Sequence, residues 1–321
     1  MAAAAAVTLL LVASAVVLLE RLGMLESIAD RLRHANTALV VLAVLFEALS
    51  FAGYVVLTRL AFRPAAPRIS WRESIEITLA GVVATRLVTA AGAGGIALTI
   101  WVLRAAGLDG RAAVERLGLF FVVLYSIFFG ALLVDGLAFA VGAVQGAPDG
   151  LALSGAAVGG LVIVMALGTQ LVPPRQRRLV LAVPRDAVGL ALRLVRRRPS
   201  ALVAALAWWG LDIAVLRTTF EMFGAPPGAA VLVLCYFLGQ LAQVAPLPGG
   251  VGPVEGGLIG AFAACGVPVS LAILAVLSYQ AISTWLPALP GVWAYLRLRD
   301  SVAGWRESRS WATAPGAAGR C

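Results

Sequence analysis

The stretch QVAPLPGGVGPVEGG, residues 243–257, places three prolines, five glycines and one carboxylate in otherwise apolar sequence. Its first two prolines cannot continue a helix, and Gly250 and Gly252 allow tight backbone conformations, so we expect the chain to reverse here. A new helix then begins at Pro253, because proline suits the first helical position. The free N–H groups at such a helix start favour a phosphate or carboxylate ligand, and Glu255 in the same turn would compete with it.

Glu255 therefore has two interpretations. As a ligand, it is protonated, paired with an arginine, or used to bind a cation or a cationic headgroup. Its candidate arginine partners are Arg86 in the first half of the chain and Arg217 in the second. As a structural residue, it only caps its own helix.

The residues around the break predict a wet cavity, because irregular backbone at membrane depth must be buried in protein or line such a cavity. Gln240 and Gln243 lie one turn apart on the entering helix, where they either donate to a headgroup or satisfy the broken backbone. Gly252, Gly256 and Gly260 recur at four-residue spacing and predict a smooth face for a neighbouring helix.

Ionisable residues also fall inside the predicted spans. A charge at mid-bilayer costs about 2.5 to 3.5 kcal/mol, so we expect these side chains to face the protein interior. Arg217 and Glu221 are four residues apart on one helix, which favours a local ion pair. Glu47 and Asp212 lie deeper in their spans and are the better candidates for a proton or headgroup site. The remaining acid is Asp135.

The composition indicates a polytopic membrane protein built from helices. Hydrophobic residues make up 61% of the 321 residues and charged residues 13%. Long segments are apolar on nearly every face, which excludes the alternation of a membrane β-barrel. The net charge of +9 comes from arginines that flank apolar segments, so it indicates membrane orientation rather than nucleic-acid binding. Three dispersed cysteines and one histidine, His34, argue against a metal site, a cofactor site or a disulfide framework.

The apolar pattern predicts about six full spans and two re-entrant helix pairs. Segments 95–106 and 253–265 would rise only about 18 to 20 Å, against a hydrocarbon core of about 30 Å, so each is interpreted as half of a pair. The first segment contains Ala13-Ser14-Ala15, which leaves a cleaved signal peptide open, although we interpret it as an uncleaved helix. The predicted helices are 3–20, 36–61, 75–90, 95–106, 117–144, 151–172, 201–223, 228–244, 253–265 and 270–297.

Arginine sets the expected orientation. The linker 173–200 carries eight arginines and one acid, Asp186, and should be cytoplasmic. Parity then places both chain termini in the cytoplasm. Within the linker, Val188, Leu192 and Val195 fall at helical spacing beside arginines, as in an interfacial helix attracted to anionic lipid. The short polar tail 301–321 is expected to be cytoplasmic and frayed.

The two halves of the chain resemble each other. AAGAGGIALTIWVLRAAGLDG, residues 90–110, aligns with PGGVGPVEGGLIGAFAACGVP, residues 248–268, so that Gly92 matches Gly250. In this register Ala97 stands where the second half has Glu255. With the arginine topology, one re-entrant pair enters from the cytoplasm and the other from outside. The expected architecture is thus two inverted repeats, about 1–148 and 149–300, with a site near the midplane.

The stretch PLPGGVGPVEGGLIGAFAACGVPVSLAILAVLSYQAISTWLPALPGV resembles the lysylphosphatidylglycerol synthase transmembrane region family, also described as the flippase-like domain family. The resemblance rests on the Pro-Gly-Gly turn, the glutamate five residues after its second glycine, the Gly-Val-Pro linker and a last helix with Tyr279, Trp285, Pro287, Pro290 and Gly291. It implies one flippase-like domain, about 1–300, in a multi-pass plasma-membrane protein. Members move aminoacylated phosphatidylglycerol between leaflets, and others are associated with polyprenyl-linked sugars.

This chain departs from the family pattern in two respects. Members with synthase activity carry a soluble aminoacyltransferase domain after the membrane region, whereas this chain ends at Cys321, and Gln280 stands where many relatives carry arginine. We therefore expect a transporter rather than an enzyme, which binds a lipid headgroup between the re-entrant pairs. The alternatives are a membrane scaffold or accessory subunit for a separate synthase or glycosyltransferase, and an enzyme that processes polyprenyl-phosphate sugars.

Overall fold

The computed structural model describes residues 36–87, 93–171, 179–244 and 252–313, and this part of the chain is helical apart from turns. The predicted helix 3–20 and His34 lie outside the described residues. A 3₁₀ turn, Ala242–Val244, follows α8, and a π-helical turn, Ala281–Trp285, joins α10 to α11. The α-helices are α1 Thr37–Phe62, α2 Trp71–Leu87, α3 Ala93–Ala105, α4 Gly110–Ala140, α5 Asp149–Gly168, α6 Leu179–Arg197, α7 Ser200–Phe223, α8 Ala229–Leu241, α9 Pro253–Ala264, α10 Val269–Gln280 and α11 Leu286–Thr313.

Five stretches of helix in the described residues are long and apolar enough to cross a membrane. They are α1, α4, α5, α7 and the run Val269–Trp305, which joins α10 to α11. These stretches match the predicted spans 36–61, 117–144, 151–172, 201–223 and 270–297. The all-helical, polytopic fold is confirmed.

The predicted short helices are present as well. The helices α3 and α8 have 13 residues each and α9 has 12, so each is too short to cross the hydrocarbon core. The re-entrant arrangement and the inverted repeats stay predictions. The expectation of a frayed tail was wrong up to Thr313, because α11 continues through residue 300 and buries Leu298 and Val302.

Small residues let the long helices approach closely. A Cβ atom on Gly53 of α1 would come within 2.9 Å of the carbonyl oxygen of Ala204 in α7. A Cβ atom on Gly136 of α4 would come within 2.6 Å of the Ala152 oxygen in α5. Lipid offers no hydrophobic gain for helix association, so such close backbone packing holds membrane helices together.

The arginine-rich linker contains the helix that its pattern predicted, α6. Its buried face, which includes Ala187, Val188 and Ala191, packs against α4. The guanidinium of Arg111 at the start of α4 lies 3.0 Å from the carboxylate of Asp186. Part of the predicted apolar face is thus used within the protein, and the arginines at the end of the helix are exposed.

Candidate functional site

A cavity of about 540 Å³ lies among the helices, where we expected one from the chain break. Two helix pairs, α2 with α3 and α8 with α9, each contribute the start of their second helix to its wall. Gly95 and Ile96 come from α3, and Pro253 and Val254 come from α9. The long helices α1, α4 and α7, together with α10 of the run Val269–Trp305, close the sides. The cavity therefore lies between the two halves of the chain.

Helical spacing brings polar side chains to this wall. On α1, Glu47, Tyr54 and Thr58 follow one another at intervals of seven and four residues, and all line the cavity. On α8, Tyr236 and Gln240 are four residues apart and do the same. Residues three, four or seven apart share one face of a helix, so each helix presents one polar stripe inside an apolar span.

A pair of carboxyl groups forms the polar centre of the cavity. Glu47 is 4% exposed and Asp212 is 6% exposed, both line the cavity, and the helices that carry them, α1 and α7, pack against each other. The hydroxyls of Tyr236 and Tyr279 both donate to Oδ2 of Asp212, the latter over 2.7 Å. In the described part of the chain, the buried Oε2 of Glu47 has no hydrogen-bond partner. Four helices, α1, α7, α8 and α10, thus converge on one acidic pair.

A line of hydrogen bonds leads from the exposed end of α8 to this pair. Nε2 of Gln243 donates to Oε1 of Gln240 over 2.5 Å. Nε2 of Gln240 donates to the Tyr279 hydroxyl over 3.4 Å, and that hydroxyl donates to Asp212. A polar ligand at Gln243 is therefore in hydrogen-bonding continuity with the buried carboxyls.

Aromatic rings form another wall of the cavity. The ring centroids of Tyr54 and Trp208 are 4.5 Å apart, and those of Phe51 and Trp208 are 5.3 Å apart. The indole N–H of Trp209 donates to the carbonyl oxygen of Leu124 over 2.8 Å, which fixes that ring. Such faces suit sugar rings or cationic groups.

The wall from α2 and α3 carries hydroxyls that are already engaged. Thr85 and Thr99 each donate over 2.8 Å to a carbonyl oxygen one turn earlier in their own helix. The hydroxyls of Thr58 and Thr78 lie 3.2 Å apart. This side of the cavity is polar in composition but has fewer hydrogen-bonding groups to offer a ligand.

The comparisons with known proteins place this architecture in a family. The family model described as the lysylphosphatidylglycerol synthase TM region matches residues 1–291. The chain belongs to this family. A UPF0104 membrane protein of Methanothermobacter thermautotrophicus (strain Delta H) is 34% identical over 89 residues, which are 27% of this chain and 25% of that relative. The match with that relative thus spans about a quarter of its length.

The motif that carries the family resemblance has a structural role in this member. Oε2 of Glu255 accepts a hydrogen bond from the backbone N–H of Gly252 over 2.7 Å, which is the geometry of a helix cap. Gly252 itself has a φ of 116°, a conformation that favours glycine. Among the described residues of this turn, Pro253 and Val254 line the cavity, whereas Glu255 and Gly252 bind each other.

One predicted charge partner, Arg217, lies away from the cavity. Nε of Arg217 lies 3.0 Å from Oε1 of Glu221, so the local ion pair is confirmed, and the two side chains are 49% and 33% exposed. Arg217 is not among the residues that line the cavity. The side chain of Arg86 and all of Gly250 lie outside the described residues. Of the predicted site residues, the structure brings four together at the cavity: Glu47, Asp212, Gln240 and Gln243.

Some site residues could have been found from the sequence. Tyr236 precedes Gln240 by four residues, and Trp208 precedes Asp212 by four, so the helical spacing from a polar residue was the available signal. The predicted glycine face was wrong for Gly256 and Gly260, since a Cβ atom on either would meet no atom of the described residues within 4 Å. It is instead Gly257 that packs against α8.

The cysteines also differ from the expectation that they are dispersed. The sulfur atoms of Cys235 and Cys265 lie 3.4 Å apart across α8 and the end of α9, both as free thiols. The two cysteines are 30 positions apart in the chain, so their proximity was not predictable from the sequence. In the described residues, no group of three or more His, Cys, Asp or Glu side chains could hold a metal ion.

Proposed function

We propose that this protein moves a lipid between the leaflets of the plasma membrane by receiving its polar headgroup in the cavity. The acyl or prenyl chains would stay in the bilayer. The headgroup classes that we propose are aminoacylated phosphatidylglycerol and a polyprenyl-phosphate sugar. Alternating access between the two halves, with both termini in the cytoplasm, would carry the headgroup across.

The observation that carries this proposal is the acidic pair of Glu47 and Asp212 in a cavity between apolar helices. Ionisable groups inside a membrane are costly, and in membrane proteins they mark substrate or ion pathways. The volume of about 540 Å³ lies within the range of about 300 to 1,000 Å³ that is usual for small-molecule sites. Aromatic and amide side chains beside the acids suit a headgroup better than a simple ion.

Purified protein in proteoliposomes tests the proposal. Fluorescent aminoacylated phosphatidylglycerol and a fluorescent polyprenyl-phosphate sugar are followed by their accessibility to a membrane-impermeant quencher. We expect the wild type to move one of them, and Asp212→Asn to slow it at least about tenfold, equivalent to about 1.4 kcal/mol. Arg217→Gln is the matched control, because its exposed ion pair lies outside the cavity lining. Equal rates in wild type and Asp212→Asn would overturn the proposal.

An accessory role is a second candidate, favoured by the end of α6. Arg196, Arg197 and Arg198 are exposed there, while the opposite face of the helix packs on α4. Exposed guanidinium groups suit acidic lipid or an acidic partner such as a separate synthase. Replacing all three by glutamate should abolish a complex with that synthase and spare lipid movement if this role is correct.

A further inference from the structure

We propose that Glu47 and Asp212 are a proton-binding site that couples lipid movement to a proton gradient. The inference rests on the proposed function and names the coupling ion of the same cavity. It is carried by the burial of the two carboxyl groups and the hydrogen bonds to Asp212, by their position between the two halves, and by their connection to the headgroup side of the cavity.

The surroundings of the two carboxyl groups place a proton on Glu47. Among the described residues, its buried Oε2 has no hydrogen-bond partner, and an ionised carboxylate without partners is costly to bury. Both tyrosine hydroxyls donate to Asp212, which stabilises negative charge on that side chain. When the proton leaves Glu47, the cavity holds two negative charges in a poorly solvated site, where repulsion is strong.

The groups that face the pair come from every helix packed around it. Tyr236 of α8 and Tyr279 of α10 contact Asp212 directly. Tyr54 of α1 and Tyr125 of α4 line the same cavity farther along its aromatic wall. Binding or loss of a proton on Glu47 changes the charge of this site by one unit.

The position of the pair links that charge to a conformational change. Glu47 belongs to α1 in the first half and Asp212 to α7 in the second, and these two helices pack against each other. With the proton present, Glu47 is neutral and α1 and α7 pack closely. Without it, repulsion between the two carboxylates favours separation of these helices. Protonation therefore biases the contact that must rearrange if the halves move past each other.

The headgroup side of the cavity reaches the same pair through Gln243, Gln240 and Tyr279. A headgroup that takes a hydrogen bond from Gln240 competes with the Tyr279 hydroxyl for that amide. Reorientation of Tyr279 would remove one donor from Asp212 and lower the stability of its negative charge. Headgroup binding and proton binding are therefore coupled through one tyrosine.

Proteoliposomes with a clamped membrane potential test the coupling. The probes are fluorescent aminoacylated phosphatidylglycerol and a fluorescent polyprenyl-phosphate sugar. With one proton per cycle, a gradient of one pH unit should support about tenfold accumulation of the transported lipid in one leaflet, and nigericin should abolish it. Glu47→Gln should lose this response, whereas Glu221→Gln, whose exposed ion pair lies outside the cavity lining, should keep it.

The outcomes separate the two proposals. Lipid movement that does not respond to the pH gradient would overturn proton coupling, but it would still support lipid translocation. A folded protein that moves neither lipid would count against the proposed function, and the proton site is then decided by a measurement without lipid.

That measurement is the infrared spectrum of the purified protein at neutral pH. The wild type should show the carbonyl band of a protonated carboxylic acid, shifted in D₂O, and Glu221→Gln should retain it. The band should be reduced in the double variant Glu47→Gln/Asp212→Asn. A spectrum of the double variant identical to that of the wild type would overturn the proton site.

Discussion

The two short helix pairs, α2 with α3 and α8 with α9, pack alike but differ in chemistry. A Cβ atom on Gly95 would come within 3.0 Å of the Gly81 oxygen, and a Cβ atom on Gly257 would come within 3.0 Å of the Gly239 oxygen. The first pair lines the cavity with threonines that bond to their own helices, whereas the second brings a tyrosine and two glutamines. The packing is shared, and the polar network belongs to the second pair.

The neighbours of the long helices fit the predicted repeat. Gly81 and Gly239 are separated by the same number of residues as Gly92 and Gly250, the pair that the alignment matched. The helix α1 packs on α7, while α2 packs on α11 and α8 packs on α4. A twofold axis between the halves would relate the α2–α11 contact to the α8–α4 contact. The equivalent helices α1 and α7 would then meet at the axis. Glu47 and Asp212 lie on these two helices and line the same cavity.

The difference in chemistry predicts unequal effects of removing hydroxyls. Tyr236→Phe combined with Tyr279→Phe removes both donors to Asp212 and should slow lipid movement at least about tenfold, since hydrogen bonds to charged groups contribute about 1.5 to 3 kcal/mol each. Thr85→Val combined with Thr99→Val, in the first pair, should slow it by no more than about threefold, because those hydroxyls bond to their own helices. The proteoliposome assay compares the two double variants. Equal losses of lipid movement in the two double variants would show that hydroxyls of both helix pairs contribute to this movement.

The shared packing predicts a loss of stability at Gly239. An added Cβ atom would lie 2.9 Å from the Cα atom of Leu258, so Gly239→Ala should cost about 1 to 3 kcal/mol. Gly95→Ala should cost less, because one of the atoms in its way is the hydroxyl of Thr85, which can rotate. Thermal unfolding in detergent measures both.

Gly256→Ala supplies the control for this series. Its Cβ atom would meet no atom within 4 Å in the part of the chain that the structure describes, and alanine is the better helix former, so the melting temperature of this variant should not fall. A decrease as large as that of Gly239→Ala would mean that α9 presents a different face to α8.

The sequence predicted the spans because long apolar runs leave few alternatives, but it placed several helix ends wrongly; α4, for example, begins at Gly110 rather than near residue 117. The helix α2 begins at Trp71 rather than near residue 75, since the Ser70 backbone N–H donates to Glu73 over 2.9 Å in a capping box. The signal was Ser-Trp-Arg-Glu in the printed sequence. The extension of α11 was not predicted because the tail is polar. In this extension Leu298 and Val302 lie one turn apart and are buried.

The site was predictable residue by residue, but not as an arrangement. A charge inside a span is expensive, so Glu47 and Asp212 could each be singled out. Their contact depends on how α1 and α7 cross, and Tyr279 reaches Asp212 from 67 positions along the chain. Glu255 attracted attention because it lies in the most irregular stretch, yet its carboxylate faces the backbone of its own turn.

Glu255 allows the two helix pairs to be compared at a single position, since Ala97 occupies the matching position in α3. That helix begins at Ala93 without an acidic residue in its first turn. Glu255→Gln keeps an acceptor for the Gly252 N–H and loses only the charge at the helix start, about 0.3 to 1 kcal/mol. Lipid movement should stay within about twofold of wild type, because such a loss affects the cap and leaves the cavity lining in place. A tenfold loss of movement with an unchanged melting temperature would instead place Glu255 in the path of the headgroup and make the second pair the binding element of the site.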